Sequence, residues 1–331
     1  MGSAAGAMFS GFDLDDSEFA NAVYSTLEEV DERLARELAY LEISLGWPAL
    51  VQYQGRGIRI LPLLTILTGQ MGPCPASPAL TTAATAVELV HLATVCHGNV
   101  QDETSVRRDL SGMNSGWCNN VVILAGDYLS ACASRLVSTL GPEAARIIAE
   151  TFASVVTGQV REKLAVQPTE DPVERWLQLA RERAGSLLGA SARFGGLCSG
   201  MDPHHVERLA RFGTTLGTAL QISDNLVSDT QRNRSSDVGS GSACSTDAAR
   251  RRQAKCTADG GTQAMSAGPM AAAGEVPQPL PHLDSVVLAK EMLRGYTDLA
   301  EAELFALPDG PANDALQRFV RHLADRVVLA R

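Results

Sequence analysis

At 331 residues, with 45% hydrophobic and 20% charged side chains, the chain can bury a large globular core. Its 28 Lys and Arg against 38 Asp and Glu leave a formal charge of −10, which excludes a nucleic-acid binder that gains from counterion release. Seven scattered cysteines with no Cys-x-x-Cys pair suit the reduced thiols of a cytoplasmic protein better than a disulfide framework or a zinc site.

Residues 1–17 read as a flexible N-terminus without the basic and apolar regions of a secretory signal. Residues 18–46 carry Leu27, Val30, Leu34, Leu38 and Leu41 at helical spacing among acids and arginines. The loop from Gln54 to Pro62 opens a second helix, Cys74 to Pro78 forms a turn, and Thr81–His97 is a strongly apolar helix. A further helix over 118–140 stops at Gly141-Pro142. Helices are then expected over 142–164, 171–200 and 203–229. Apolar runs break before the length of a membrane span, so no integral membrane segment is expected. Residues 230–275 hold almost no large apolar side chains and cannot offset ordering entropy by burial, so poor order is expected there. Such an insert fits a lineage-specific loop or a stretch read in a shifted frame. Arg250-Arg251-Arg252, the one tight basic run, lies inside it. Helical spacing resumes near Leu283 and continues past Pro308 to Leu323. Sustained strand alternation is missing, so 18–331 is read as one all-α domain with 230–275 as its insert.

The motifs concentrate in residues 87–129. Glu88-Leu-Val-His91, then Asp102-Glu103 with Arg107-Arg108, then Asn120, then Leu124-Ala-Gly126-Asp127-Tyr128-Leu129 follow one another in a fixed order. In order and spacing they resemble the trans-isoprenyl diphosphate synthases (polyprenyl synthetases), over about 20–229 and again about 284–328. The resemblance implies an isoprenoid synthase-type helical bundle around a central cavity. It also implies condensation of an allylic diphosphate with isopentenyl diphosphate. Two Asp-rich motifs would hold Mg²⁺ against the diphosphate, and an apolar cavity would keep water from the allylic cation.

Carboxylates at i, i+1 and i+4 share one helix face, and here most of them are gone. The first motif falls on Gly98-Asn99-Val100-Gln101-Asp102 and keeps Asp102; the second falls on Asp224-Asn225-Leu226-Val227-Ser228 and keeps Asp224, with Asp229 one residue late. By resemblance, Asp102, Asp224 and Asp229 are the metal ligands, and Gln221 precedes the second motif as a further catalytic position. Diphosphate oxygens would be held by Arg59, Arg107, Arg108 and Arg183, the last standing where the family has a lysine. Ala93 and Thr94, just before the first motif, are small, which in the family opens the cavity to longer chains.

Two functions follow from the resemblance: an impaired prenyltransferase, or a catalytically silent subunit paired with an active synthase, in either case as a homodimer or heterodimer. Plainer readings compete at single residues. Glu88 and His91 form an E-x-x-H pair, but a di-iron site needs a second such helix and none occurs. His97 reads as a hydrogen-bonded core or pocket histidine, Asp127 as the centre of a buried hydrogen-bond network, and Trp117 and Asn119-Asn120 as structural.

Overall fold

The computed structural model describes residue 14 and residues 17–45, 59–101, 119–164, 170–237 and 283–329. Among these residues every regular element is helical, as the periodicity requires. Helix α1 (Ser17–Leu45) turns Val23, Val30, Leu34, Leu38 and Leu41 inward, one apolar stripe at helical spacing. Helix α2 (Ile60–Gly69) is apolar all round and buried from Leu61 to Gly69. Its two interior threonines return their hydroxyls to the helix, Thr65 to Leu61 O (3.1 Å) and Thr68 to Leu64 O (2.7 Å), so neither hydroxyl is stranded in the core.

Helix α3 (Pro78–Gln101) starts on a proline, and the Ser77 hydroxyl accepts from Ala79 N at 3.3 Å. Helix α4 (Asn119–Ser138) runs to the turn at Gly141, whose φ of 102° only glycine adopts cheaply, and Pro142 opens α5 (Pro142–Lys163). Asp171 caps α6 (Pro172–Ala180), accepting from Val173 N at 2.9 Å. A π-turn (Arg181–Gly185) then leads into α7 (Ser186–Cys198). Helix α8 (Pro203–Asp237) follows, then α9 (Leu283–Phe305) and α10 (Pro311–Leu329).

Helices α2, α3, α7 and α8 form the centre. Helix α1 lies on α2 and α3, α4 packs along α3, α5 crosses α7, and α9 and α10 close the far side against α8. Helix α8 approaches the π-turn and α7 through glycine: a Cβ at Gly217 would lie 2.5 Å from Ala184 O of the turn, and one at Gly213 would overlap Leu188 O of α7.

Three expectations are corrected. The helix expected over 171–200 is two helices joined by the π-turn, because the register gains a residue at Arg181–Gly185. Helix α8 does not stop at residue 229 but continues to Asp237, since a helix already nucleated can propagate through a polar sequence. The rest of the 230–275 insert lies outside the described residues. Two helices also reach the length and hydropathy of a membrane span, Pro78–Gly98 and Asn120–Ser138. The first is 78% buried as a central helix of the bundle; the second is 39% buried.

Candidate active site

The end of α3 that carries the first motif is held by α4 and α5. Ala93 is buried against α4, where Gly126 lets the backbones close: a Cβ at Gly126 would come within 3.2 Å of Ala93 O and would overlap His97 Nε2. His97 Nε2 lies 3.3 Å from Asp127 Oδ1, with the Phe152 ring edge-on at 6.2 Å. The Asp127 side chain is 62% exposed, so it faces solvent beside His97 and does not centre a buried network. Thr94 is buried and gives its hydroxyl to His91 O (2.7 Å). The Thr94 carbonyl in turn accepts from Gln159 Nε2 of α5 at 2.8 Å. That same nitrogen would stand 3.3 Å from a Cβ at Gly98, so Gln159 leans over the first position of the motif.

Further back on α3, Glu88 is buried in the interior and His91, one turn on, is partly buried. Glu88 lies about 15 Å before Gly98 along the helix axis. Burial pushes its carboxyl up to about 7, the Arg59 guanidinium opposing and Asp31 reinforcing the shift. Burial drives His91 down to about 4, which keeps the imidazole neutral. Its Nδ1 has no hydrogen-bond partner among the described residues. Arg59 caps the start of α2 and is nearly buried, with Nη1 3.2 Å from Asp31 Oδ1 of α1. This diphosphate-binding candidate therefore sits between two carboxylates.

The other described anion-binding candidate lies at the π-turn. Arg183 Nη1 donates to Glu162 Oε2 of α5 at 2.8 Å. Beside it Arg161 Nε donates to Glu182 Oε2 (3.1 Å), and Gln178 Nε2 to Glu182 Oε1 (2.9 Å). The widened turn bonds Ser186 N to Arg181 O and leaves the Glu182 carbonyl to the hydroxyl of Ser186 (2.6 Å). Helix α8 passes behind this turn through Gly217, and one turn further Gln221 Nε2 donates to Asn225 Oδ1 at 3.2 Å. Asp224 is partly buried on the same helix.

A run of contacts therefore links Thr94 and Gly98 through Gln159 and Glu162 to Arg183, and from the π-turn to the helix bearing Gln221 and Asp224. Asp102, Arg107, Arg108 and Trp117 lie outside the described residues, and Asp229 is described only as backbone of α8. Gln159, Glu162 and Asp31 escaped sequence reasoning: a glutamine and two acids on helices carry no spacing signal until their partners are placed.

The polyprenyl synthetase profile matches residues 48–241, more than half of the chain. The chain belongs to the polyprenyl synthetase family. Over 328 residues it is 39% identical to the nonaprenyl diphosphate synthase of Mycobacterium tuberculosis (strain ATCC 25618 / H37Rv), covering 96% of this chain and 97% of that one. It is 30% identical over 211 residues to the heptaprenyl diphosphate synthase component 2 of Geobacillus stearothermophilus, covering 62% and 66%. The crystal structure of a geranylgeranyl pyrophosphate synthase from Corynebacterium glutamicum superposes with a TM-score of 0.73 at 27% identity, covering 98% of each chain.

Against that family the donor set does not fit a magnesium cluster. Gly98, Asn99, Asn225 and Ser228 at the motifs' carboxylate positions bring no charge, and Asn at best offers a neutral carbonyl oxygen. No group of three His, Cys, Asp or Glu able to hold a metal occurs among the described residues.

Proposed function

We infer that this chain is a prenyltransferase of the polyprenyl diphosphate synthase type, joining an allylic diphosphate to isopentenyl diphosphate at a reduced rate. The observation that carries this reading is 39% identity to a nonaprenyl diphosphate synthase, sustained over nearly the whole of both chains. Arg59, Arg107, Arg108 and Arg183 would supply charge-assisted bonds to the diphosphates. The apolar helices of the centre would keep water from the allylic cation, and small Ala93 and Thr94 would leave depth for the growing tail. In this reaction type magnesium neutralises the departing diphosphate. With Asp102, Asp224 and Asp229 as its remaining candidate ligands, this chain lacks most of that charge. Each lost essential interaction lowers rate by roughly 10²–10³-fold.

A second reading is favoured by the same depletion together with an uncovered apolar face. Ile123 and Leu124 on α4 are exposed, Leu124 at 65%, and beside them Tyr40 stacks on Tyr128 at 5.3 Å. That face supports a dimer, either of two copies or with an active synthase in which this chain is the silent subunit. To separate the readings, labelled isopentenyl diphosphate is incubated with geranyl, farnesyl or geranylgeranyl diphosphate. The chain is supplied alone, or mixed with a magnesium-competent synthase from the same source. Extended product from the lone chain, abolished by Asp224→Ala, supports prenyl transfer. Extra product in the mixture alone, unaffected by that substitution, supports the silent subunit.

A further inference from the structure

Arg183 replaces the lysine that the family places at this position, and its surroundings explain what the exchange accomplishes. The side chain leaves the π-turn toward α5, where Gly158 makes room for it: a Cβ there would lie 3.0 Å from Arg183 Cγ and 3.0 Å from Glu182 Cβ. The aliphatic stem thus lies flat on bare backbone. One turn further along α5, Glu162 takes Nη1 at 2.8 Å. The neighbouring pair, Arg161 with Glu182 at 3.1 Å, runs in the opposite sense between the same two elements. Two reciprocal ion pairs therefore fix the π-turn to the end of α5.

A lysine ammonium held this way would spend its one compact charge on the carboxylate. A guanidinium is a planar fork with five N–H groups, so one edge can be held while the other edge is offered to an anion. Both side chains are a little over a third exposed, Arg183 at 37% and Glu162 at 36%, so a bound diphosphate can reach the pair without unfolding anything.

We propose that Glu162 is a positioning residue, which with Gly158 holds the Arg183 guanidinium edge-on so that Nε and Nη2 meet the diphosphate of the allylic substrate. The proposal rests on the prenyltransferase reading. It accounts for an arginine tolerated in place of a lysine in a chain already short of metal ligands. In such a chain a well-aimed cation carries a larger share of diphosphate binding.

The test measures binding rather than turnover, using calorimetric titration of the full chain with inorganic pyrophosphate and with farnesyl thiodiphosphate. Glu162→Gln and Glu162→Ala are expected to weaken both ligands about 5- to 20-fold, and Glu162→Asp to recover at least half of the loss. Arg183→Gln should weaken them at least as much, and adding Glu162→Gln to Arg183→Gln should cost less than a further 2-fold. Unchanged thermal midpoints confirm that the variants fold. Affinity that is unchanged or increased in Glu162→Gln overturns the proposal, the latter making Glu162 a competitor for Arg183. Independent, multiplicative effects of the two substitutions also overturn it. Failure of the parent chain to bind either ligand removes the prenyltransferase reading and the proposal together, whereas binding insensitive to Glu162 removes the proposal alone.

Discussion

Glu88 shows how one side chain couples the core to pH. Its carboxyl ionises near 4.5 when unfolded and near 7 when folded, because burial opposes the charge more than Arg59 favours it. The folded state thus holds the proton longer. Stability from this group is complete below pH 4.5 and is lost as pH rises through 7, by on the order of 3 kcal/mol. His91 runs the other way: with a folded value near 4 against 6.5, its contribution is complete above 6.5 and is lost as pH falls through 4. Denaturant melts of the parent and Glu88→Gln between pH 5 and 8 should show a stability decline in the parent that flattens in the variant. An equal slope in both would remove Glu88 as its source.

At the same scale, Gly98 marks where a carboxylate is missing. The neighbour at 3.3 Å from an added Cβ is the amide end of Gln159, a side-chain group that needs to shift only a few tenths of an ångström while keeping its bond to Thr94 O. The double substitution Gly98→Asp with Asn99→Asp is therefore expected to fold and to restore a full first motif. Millimolar Mg²⁺ should raise its melting temperature by several degrees while leaving the parent within about one degree, by ligand linkage. Equal responses in differential scanning fluorimetry would show that the missing charge does not limit metal binding.

Between elements, the decisive contacts are glycines where helices touch backbone to backbone. At Gly217 the obstacle is Ala184 O, a main-chain atom of the π-turn that cannot swing aside. Gly217→Ala should destabilise the fold by about 2–4 kcal/mol. It should also push α8 away from the turn that carries Arg183. Chemical denaturation checks the first effect, and pyrophosphate titration of the folded fraction the second. Arg175 provides a comparison outside the site. It is buried and donates to the Leu164 carbonyl at 2.8 Å and to Arg161 O at the end of α5, with Glu170 at 2.8 Å as counter-ion. Arg175→Ala leaves those carbonyls and an acid unpartnered and should cost about 2–3 kcal/mol. The sequence shows glycines and arginines at these places but not which neighbour each one meets, because that depends on how two distant helices cross.

For the whole molecule, the open question is what covers α4. Helix α3, equally apolar, is consumed by the bundle, while α4 keeps Ile123 and Leu124 in solvent. Two adjacent exposed apolar side chains on a helix this apolar are candidates for a contact face. Ile123→Glu with Leu124→Glu should convert an assembled species to monomer in analytical ultracentrifugation while preserving the helical circular-dichroism spectrum. A parent chain that sediments as monomer, alone and with a synthase partner, would exclude both assemblies proposed above.

The helices, their order and the family were legible in the sequence, since helical periodicity, capping residues and motif spacing are local and survive without knowledge of packing. The resemblance also set neutral residues at most motif carboxylate positions, a reading made from residue identity alone. Tertiary structure alone decided the partners: Arg59 between Asp31 and Glu88, Gln159 over Gly98, and Arg183 on Glu162. These pairs join residues 21 to 61 positions apart on separate elements. Coulomb and hydrogen-bond energies act over a few ångströms of space whatever the distance along the chain, so only the crossing of the helices could select them.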